Sequence, residues 1–169
     1  MLGLAACSKQ GDSPKAAQAS GAGGGAMAAL PKLGPAPAWN LKDVDGNAVS
    51  SAKFAGKVVV VDFWATWCGP CVREIPGYIA LQKKYGADKL AIVGVSLDQA
   101  GPEVVQAFAL KHGVNYQMVM ADDAVVRAFG GVNVIPTTFL IDRTGQVRDR
   151  KEGAEDEAAY GRKIAALME

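Results

Sequence analysis

Val58-Val-Val-Val-Asp62-Phe-Trp64-Ala-Thr66-Trp67-Cys68-Gly69-Pro70-Cys71 is the stretch that decides the fold. Val58 to Trp64 is an apolar run broken only by Asp62, the pattern of a central strand buried on both faces. Two cysteines separated by two residues follow, too short a loop for a structural staple, and a helical pattern begins there. A thiol pair set between a buried strand and a helix reads as a reversible dithiol/disulfide centre. At i and i+3 on a first helical turn, the side chains of Cys68 and Cys71 share a face. Cys68 stands at the helix start, where unpaired N–H groups and the macrodipole favour a thiolate. It is therefore read as the attacking sulfur, with Cys71 resolving the mixed disulfide.

The whole chain narrows the chemistry further. Its 169 residues allow one domain of common size and a tail. Eighteen basic residues against 17 acidic leave a net charge of +1, which gives nucleic acid no electrostatic hold. No segment approaches the ~20 apolar residues that a spanning helix needs. With three cysteines and one histidine, His112, neither a disulfide scaffold nor a closed zinc site is expected. Val72 follows the second cysteine where c-type haem attachment needs a histidine. The expectation is no metal and no cofactor beyond the Cys68–Cys71 couple itself.

Residues 1–37 read as a tail rich in Gly, Ala, Ser and Pro, with Gly21-Ala-Gly-Gly-Gly25 at its middle. Roughly 30 such residues form a coil that reaches about 30 Å. Residues 38–169 read as the folded domain. Asp45-Gly46 marks a hairpin turn between Trp39–Leu41 and Ala48–Val49. The helix from Cys68 to about Tyr85 is expected to bury Val72, Ile75 and Ile79, to turn Gln82-Lys83-Lys84 to solvent, and to kink at Pro76. Leu90–Leu97 reads as a second buried strand. Pro102–His112 reads as an amphipathic helix stopped by Gly113, followed by a strand at Met118–Met120 and a short helix at Asp122–Phe129. A hairpin, Thr138–Ile141 with Gln146–Arg148, and a helix from about Ala154 to Met168 complete an α/β domain with a mixed sheet.

Val61-Asp-Phe-Trp-Ala-Thr-Trp-Cys-Gly-Pro-Cys71 resembles the thioredoxin superfamily signature, and Ile135-Pro-Thr-Thr-Phe-Leu-Ile-Asp142 is similar to the segment that carries its cis-proline. Phe63-Trp-Ala-Thr-Trp-Cys68, with Glu74 and Pro76 soon after, resembles the TlpA/ResA-like branch of exported thioredoxin-like proteins. That branch also carries an extra strand-helix element before the cis-proline, matched by Asp98 to Met120. The likeness covers about residues 37–169. It implies a thioredoxin-like fold, a mixed central sheet flanked by helices, with an N-terminal β-hairpin and the inserted element. It also implies that Pro136 faces the two sulfurs in cis and that Ile135 pairs backbone-to-backbone with substrate. Trp67, Gly69, Pro70 and Thr137 complete the expected substrate contacts, with Trp67 also shielding the sulfurs.

Asp62 shares a strand face with Val58, Val60 and Trp64, so its carboxyl is expected to be buried with a raised pKa. That suits a proton acceptor for Cys71, the role of this position in thioredoxins. The branch more often has Asn here, and the Lys that thioredoxins place on the neighbouring strand is missing from Leu90–Val95. Asp98 is read as a solvated turn residue, with a place near the site as the other reading. His112 is read as a partner of its helix C-terminus.

Leu4-Ala5-Ala6-Cys7 resembles a bacterial lipobox, which implies lipid attachment at Cys7. Met1–Ala6 is shorter than the 7–15 apolar residues of a signal core, so a start upstream is expected. The expected protein is monomeric, lipid-anchored in the cell envelope and facing the periplasm, with no other hold on the membrane. It would exchange its dithiol with protein disulfides, as a reductase fed by a membrane thiol donor. Cytochrome c maturation is the commonest task in the branch. The alternatives are a peroxiredoxin-like peroxidase and a copper-delivery protein. The first places Thr three residues before its cysteine, where Ala65 stands and Thr66 is at two. The second uses Cys-x-x-x-Cys with a distant His.

Overall fold

Eight strands form one mixed sheet in the computed structural model, which describes residues 29–169. They are β1 (Gly34–Pro35), β2 (Asn40–Asp43), β3 (Ala48–Ser50), β4 (Val58–Trp64), β5 (Leu90–Ser96), β6 (Gln117–Met120), β7 (Thr137–Ile141) and β8 (Gln146–Glu152). Their spatial order is β1-β8-β7-β4-β5-β6-β2-β3. Central β4 pairs in parallel with β5 and antiparallel with β7, and all of its residues are buried. The helices are α1 (Gly69–Tyr85), α2 (Pro102–His112), α3 (Asp123–Ala128) and α4 (Glu157–Met168). This is the expected thioredoxin-like α/β fold: β2–β3 is the N-terminal hairpin, and α2 with β6 the inserted element. Cys7 lies outside the described residues. No helix among the described residues is long and apolar enough to cross a membrane.

The pleat of β4 sorts its side chains into two cores. Val58 and Val60 join Leu90, Ile92 and Leu140 beneath Tyr78 and Leu81 of α1 and Tyr160 and Ile164 of α4. Val59, Val61 and Phe63 face the other way, toward Trp39, Phe54, Phe129 and Phe139. Burying each such side chain contributes roughly 1.5–3 kcal/mol, which is why the valine run sits at the centre. A third cluster closes the C-terminal end of β4 and packs Trp64, Cys68, Cys71 and Ile75 against Val105 of α2 and Met118 of β6. Gly94 makes room for it: a Cβ there would lie 2.5 Å from Met118 Sδ and 3.0 Å from Trp64 Nε1.

Several expectations need correction. The buried stripe of α1 is Cys71, Ile75, Tyr78, Leu81 and Gln82, so Val72 and Ile79 are only half-buried. Gln82 is not solvent-facing. Its Nε2 donates to Leu90 O (2.9 Å) and its Oε1 accepts from Ile92 N–H (3.0 Å). Pairing with β6 begins only at Val93, so the glutamine supplies the partners that the start of β5 lacks. Pro76 sits on the exposed side of α1, which continues uninterrupted to Tyr85. The last helix begins at Glu157, because the Asp156 carboxylate caps the N–H groups of Ala158 and Ala159.

The stretch read as tail also reaches the domain before residue 38. β1 pairs with β8, and Arg148 donates to the carbonyls of Leu30 and Pro31 at 3.1 and 3.0 Å. Gly-Pro carries no strand signal; the open edge of β8 recruits it.

Candidate active site

The turn after β4 builds the site. Cys68 N–H donates to Ala65 O (3.1 Å), and Cys68 caps α1 in an extended conformation with Pro70 in the first helical turn. Cys68 Sγ accepts the N–H of Cys71 at 3.2 Å, so a helix-terminal donor already points at the sulfur. Such a bond favours the thiolate once the pair is reduced. Cys68 and Cys71 are joined in a disulfide with their Cα atoms 5.3 Å apart. Cys68 is 5% exposed and Cys71 1%, so the first sulfur is the more open to attack.

Pro136 follows a cis peptide bond from Ile135, as the resemblance implied. Ile135 O lies 3.8 Å from Cys68 Sγ, which brings that carbonyl and the redox pair to one surface. Gly69 and Pro70 are exposed beside the sulfurs. Trp67 is 71% exposed beside them, and from within the thiol pair packs in the cluster around Trp64 and Ile75. Val134, not foreseen, adds a second apolar group to the surface at 50% exposure. Thr137 is fully buried, with its hydroxyl donated to Val134 O (2.6 Å), so it supports the proline loop and is closed to substrate.

Asp62 lies beneath α1 and is 4% exposed. Burial pushes its carboxyl up to about 8, the nearby charge of Glu74 adds to the rise, and a hydrogen bond from Thr138 opposes it. That bond, Thr138 Oγ1 to Asp62 Oδ1, is 3.2 Å, and Tyr78 OH lies 3.4 Å from the same hydroxyl. Gly94 stands opposite Asp62 on β5, with no lysine there. Glu74 accepts the N–H of Glu155 (2.8 Å) through Oε1, and partial burial raises its pKa too. Its Oε2 and the hydroxyl of Tyr160 are buried without hydrogen-bond partners among the described residues. Both residues line a cavity of about 180 Å³ between α1 and the start of α4. A carboxyl that holds its proton near neutrality, set under the helix that carries Cys71, can take up and return a proton there.

Asp98 is not a solvated turn residue. It is 8% exposed and accepts hydrogen bonds from the Thr66 amide, the Thr66 hydroxyl and the Ser96 hydroxyl. His112 ends α2 as expected, and its ring stacks on Phe108 at 4.1 Å. Among the described residues no cluster of three or more His, Cys, Asp or Glu side chains could hold a metal ion. Thr66, Thr138, Tyr78 and Val134 escaped the sequence reading. Only the Asp62↔Thr138 register, set by the antiparallel β4–β7 pairing, could have pointed to Thr138.

The AhpC/TSA family model matches residues 34–150. Among relatives, the thioredoxin-like protein YneN of Bacillus subtilis is 38% identical over 68% of this chain and 67% of its own length. The thiol-disulfide oxidoreductase ResA of the same organism is 36% identical over 66% of this chain and 62% of its own. This chain thus spans about two thirds of those relatives' lengths. The crystal structure of a thioredoxin-family thiol:disulfide interchange protein from Chlorobium tepidum superposes with a TM-score of 0.74 at 33% identity. That match covers 85% of this chain and 100% of the other. Together with the capped Cys68–Cys71 pair, these likenesses place the chain in the AhpC/TSA family, among its ResA-like, thioredoxin-fold thiol-disulfide oxidoreductases.

Proposed function

We propose that this protein is an envelope-facing reductase of protein disulfides, anchored by lipid on Cys7 and reduced in turn by a membrane thiol donor. The observation that carries the reading is the placement of Cys68 Sγ, which accepts the Cys71 N–H and lies 3.8 Å from Ile135 O, beside the exposed Trp67, Gly69 and Pro70. Trp67 and Val134 offer apolar contacts there, suited to a polypeptide whose disulfide sits in an extended segment.

In the proposed cycle the Cys68 thiolate attacks one sulfur of a substrate disulfide and expels the other as a thiolate. A mixed disulfide results. Cys71 then gives its proton to the ionised form of Asp62 and attacks Cys68 Sγ, which closes the Cys68–Cys71 disulfide and releases the second substrate thiolate, to which Asp62 returns the proton. Two electrons pass to the substrate, and a dithiol donor restores them by the reverse exchange. The pair itself is the whole redox equipment, and the protein works as a monomer. Export explains the need for a membrane donor, because a thiol protein outside the cytosol cannot draw directly on cytosolic reductant. Immature c-type cytochromes, with their paired cysteines, are one substrate class that fits.

Cys71→Ser tests the assignment. It should trap a stable mixed disulfide through Cys68 in envelope extracts, and the captured proteins would name the substrates. Trapping through position 71 in a Cys68→Ser variant, or none in either, would refute the roles. Cys7→Ala should release the protein into the soluble fraction with its redox chemistry intact; retention in the membrane would refute the anchor. The family match also raises the peroxidase reading. Against it, Ala65 stands three residues before Cys68, and the Thr66 hydroxyl is donated to Asp98 at 2.6 Å. Insulin reduction without peroxide turnover or tight Cu(I) binding is the expected pattern.

A further inference from the structure

The turn that presents Cys68 is only Ala65-Thr66-Trp67, and past Ala65, which packs with the cysteines, it has little packing of its own. Ala65 is buried, Thr66 half-buried and Trp67 open to solvent. What fixes it comes from the segment just after β5. Leu97 N–H donates to Trp64 O at 2.9 Å, and the Asp98 carboxylate takes over two residues further on, at Thr66. Its Oδ2 accepts the Thr66 amide N–H (2.9 Å) and the Ser96 hydroxyl (2.8 Å). Its Oδ1 accepts the Thr66 hydroxyl (2.6 Å). The Asp98 N–H donates to Ser96 Oγ (3.0 Å), so the serine in turn holds the aspartate.

We infer that Asp98 is a positioning residue for the thiol chemistry, clamping Thr66 and so fixing where Cys68 presents its sulfur. The inference rests on Cys68 being the attacking thiol. Both oxygens are used, and at 8% exposure Asp98 has little water to exchange for these partners. Hydrogen bonds to a carboxylate are roughly twice as strong as neutral ones. Thr66 lies two residues before Cys68, and a chain spans at most ~3.6 Å per residue, so the Asp98 bonds act within about 7 Å of chain from the sulfur's residue. Thiol-disulfide exchange needs the attacked and leaving sulfurs held in line with the attacker, and such alignment is sensitive to small displacements. The clamp also ties the turn to the inserted element, because Asp98 leads into α2, whose Val105 packs with Cys68 and Cys71.

The test compares Asp98→Ala, Asp98→Asn and Thr66→Val in the full chain by kcat/KM for insulin disulfides and by the equilibrium of the Cys68–Cys71 couple with glutathione. Asp98→Ala leaves the Thr66 amide without its acceptor and should lower kcat/KM about tenfold, with a shifted glutathione equilibrium. Asn keeps an acceptor for Thr66 at equal size and should recover to within about threefold of wild type. Thr66→Val removes one limb only and should fall between, and it decides the matter if the alanine variant does not fold. A role limited to overall stability would leave the glutathione equilibrium of the folded protein unmoved. Wild-type values in the folded alanine variant, or in Thr66→Val where that one does not fold, overturn the clamp, and so does an asparagine variant no better than alanine. The Cys71→Ser trap tests the attacking role separately, so a trap that succeeds beside unaffected Asp98 variants sinks the clamp alone.

Discussion

Asp62→Asn probes the buried carboxyl from two sides. Burial lifts the folded pKa from 3.8 to about 8. The native state therefore keeps a proton that the unfolded chain releases. The resulting stability is complete below the unfolded value and is lost as pH rises through the folded one. Between them the slope is one proton, ~1.4 kcal/mol per pH unit. From about pH 5 to about pH 8 the wild type should lose roughly 4 kcal/mol that the asparagine variant keeps. With a urea slope near 2 kcal/mol per molar, the gap between the two midpoints should change by about 2 M across that range. An amide that lacks a partner adds about 1–3 kcal/mol at every pH, so the change with pH is diagnostic and the offset is not. Asparagine also cannot accept the Cys71 proton, so resolution of a preformed mixed disulfide should slow about 100-fold near neutrality. Urea melts and single-turnover resolution rates read the two effects separately. Parallel stability profiles would show that Asp62 is not desolvated, and an unchanged resolution rate would remove it from the proton transfer.

Two further outcomes follow from local geometry. Gly94→Ala should cost about 2 kcal/mol by denaturant melts, because the new methyl group meets Met118 Sδ at 2.5 Å and the rigid Trp64 ring at 3.0 Å. Adding Met118→Ala should recover part of that loss, and strict additivity would show that the clash is not the cause. At Asp142 burial raises the carboxyl, but bonds from Arg148, Thr144 and the amides of Gln146 and Thr144 outweigh it and hold it at about 2. That stability is present above the unfolded pKa and is lost as pH falls through the folded one. Asp142→Asn should therefore be less stable than wild type at neutral pH, with the gap closing toward pH ~2; a constant gap would show that the charge is not responsible.

Features that depend on near neighbours in the chain are legible before it folds. A run of β-branched residues makes β4 a strand wherever it lies. A three-residue step puts both cysteines on one helical face, and a proline and a glycine bound α2. Those patterns were enough for an α/β domain with a mixed sheet, the redox pair and the burial of Asp62, because each follows from a helical or strand period, while the thioredoxin-like fold came from the resemblance. Tertiary structure decided what the buried polar groups bond to. Gln82 looked like part of a charged helix end until the missing pairing at the start of β5 claimed it. Thr137 and Thr138 are adjacent and chemically alike. Yet one braces the proline loop and the other meets Asp62, because successive strand residues point to opposite faces and only the β4–β7 register says which faces the acid. Asp98 resembles any acidic turn residue in sequence. It becomes part of the site only when β5 lies beside β4 and the segments that follow the two strands meet at Thr66. A hydrogen bond between residues far apart in the chain leaves no local period, so it becomes legible only after the chain has folded.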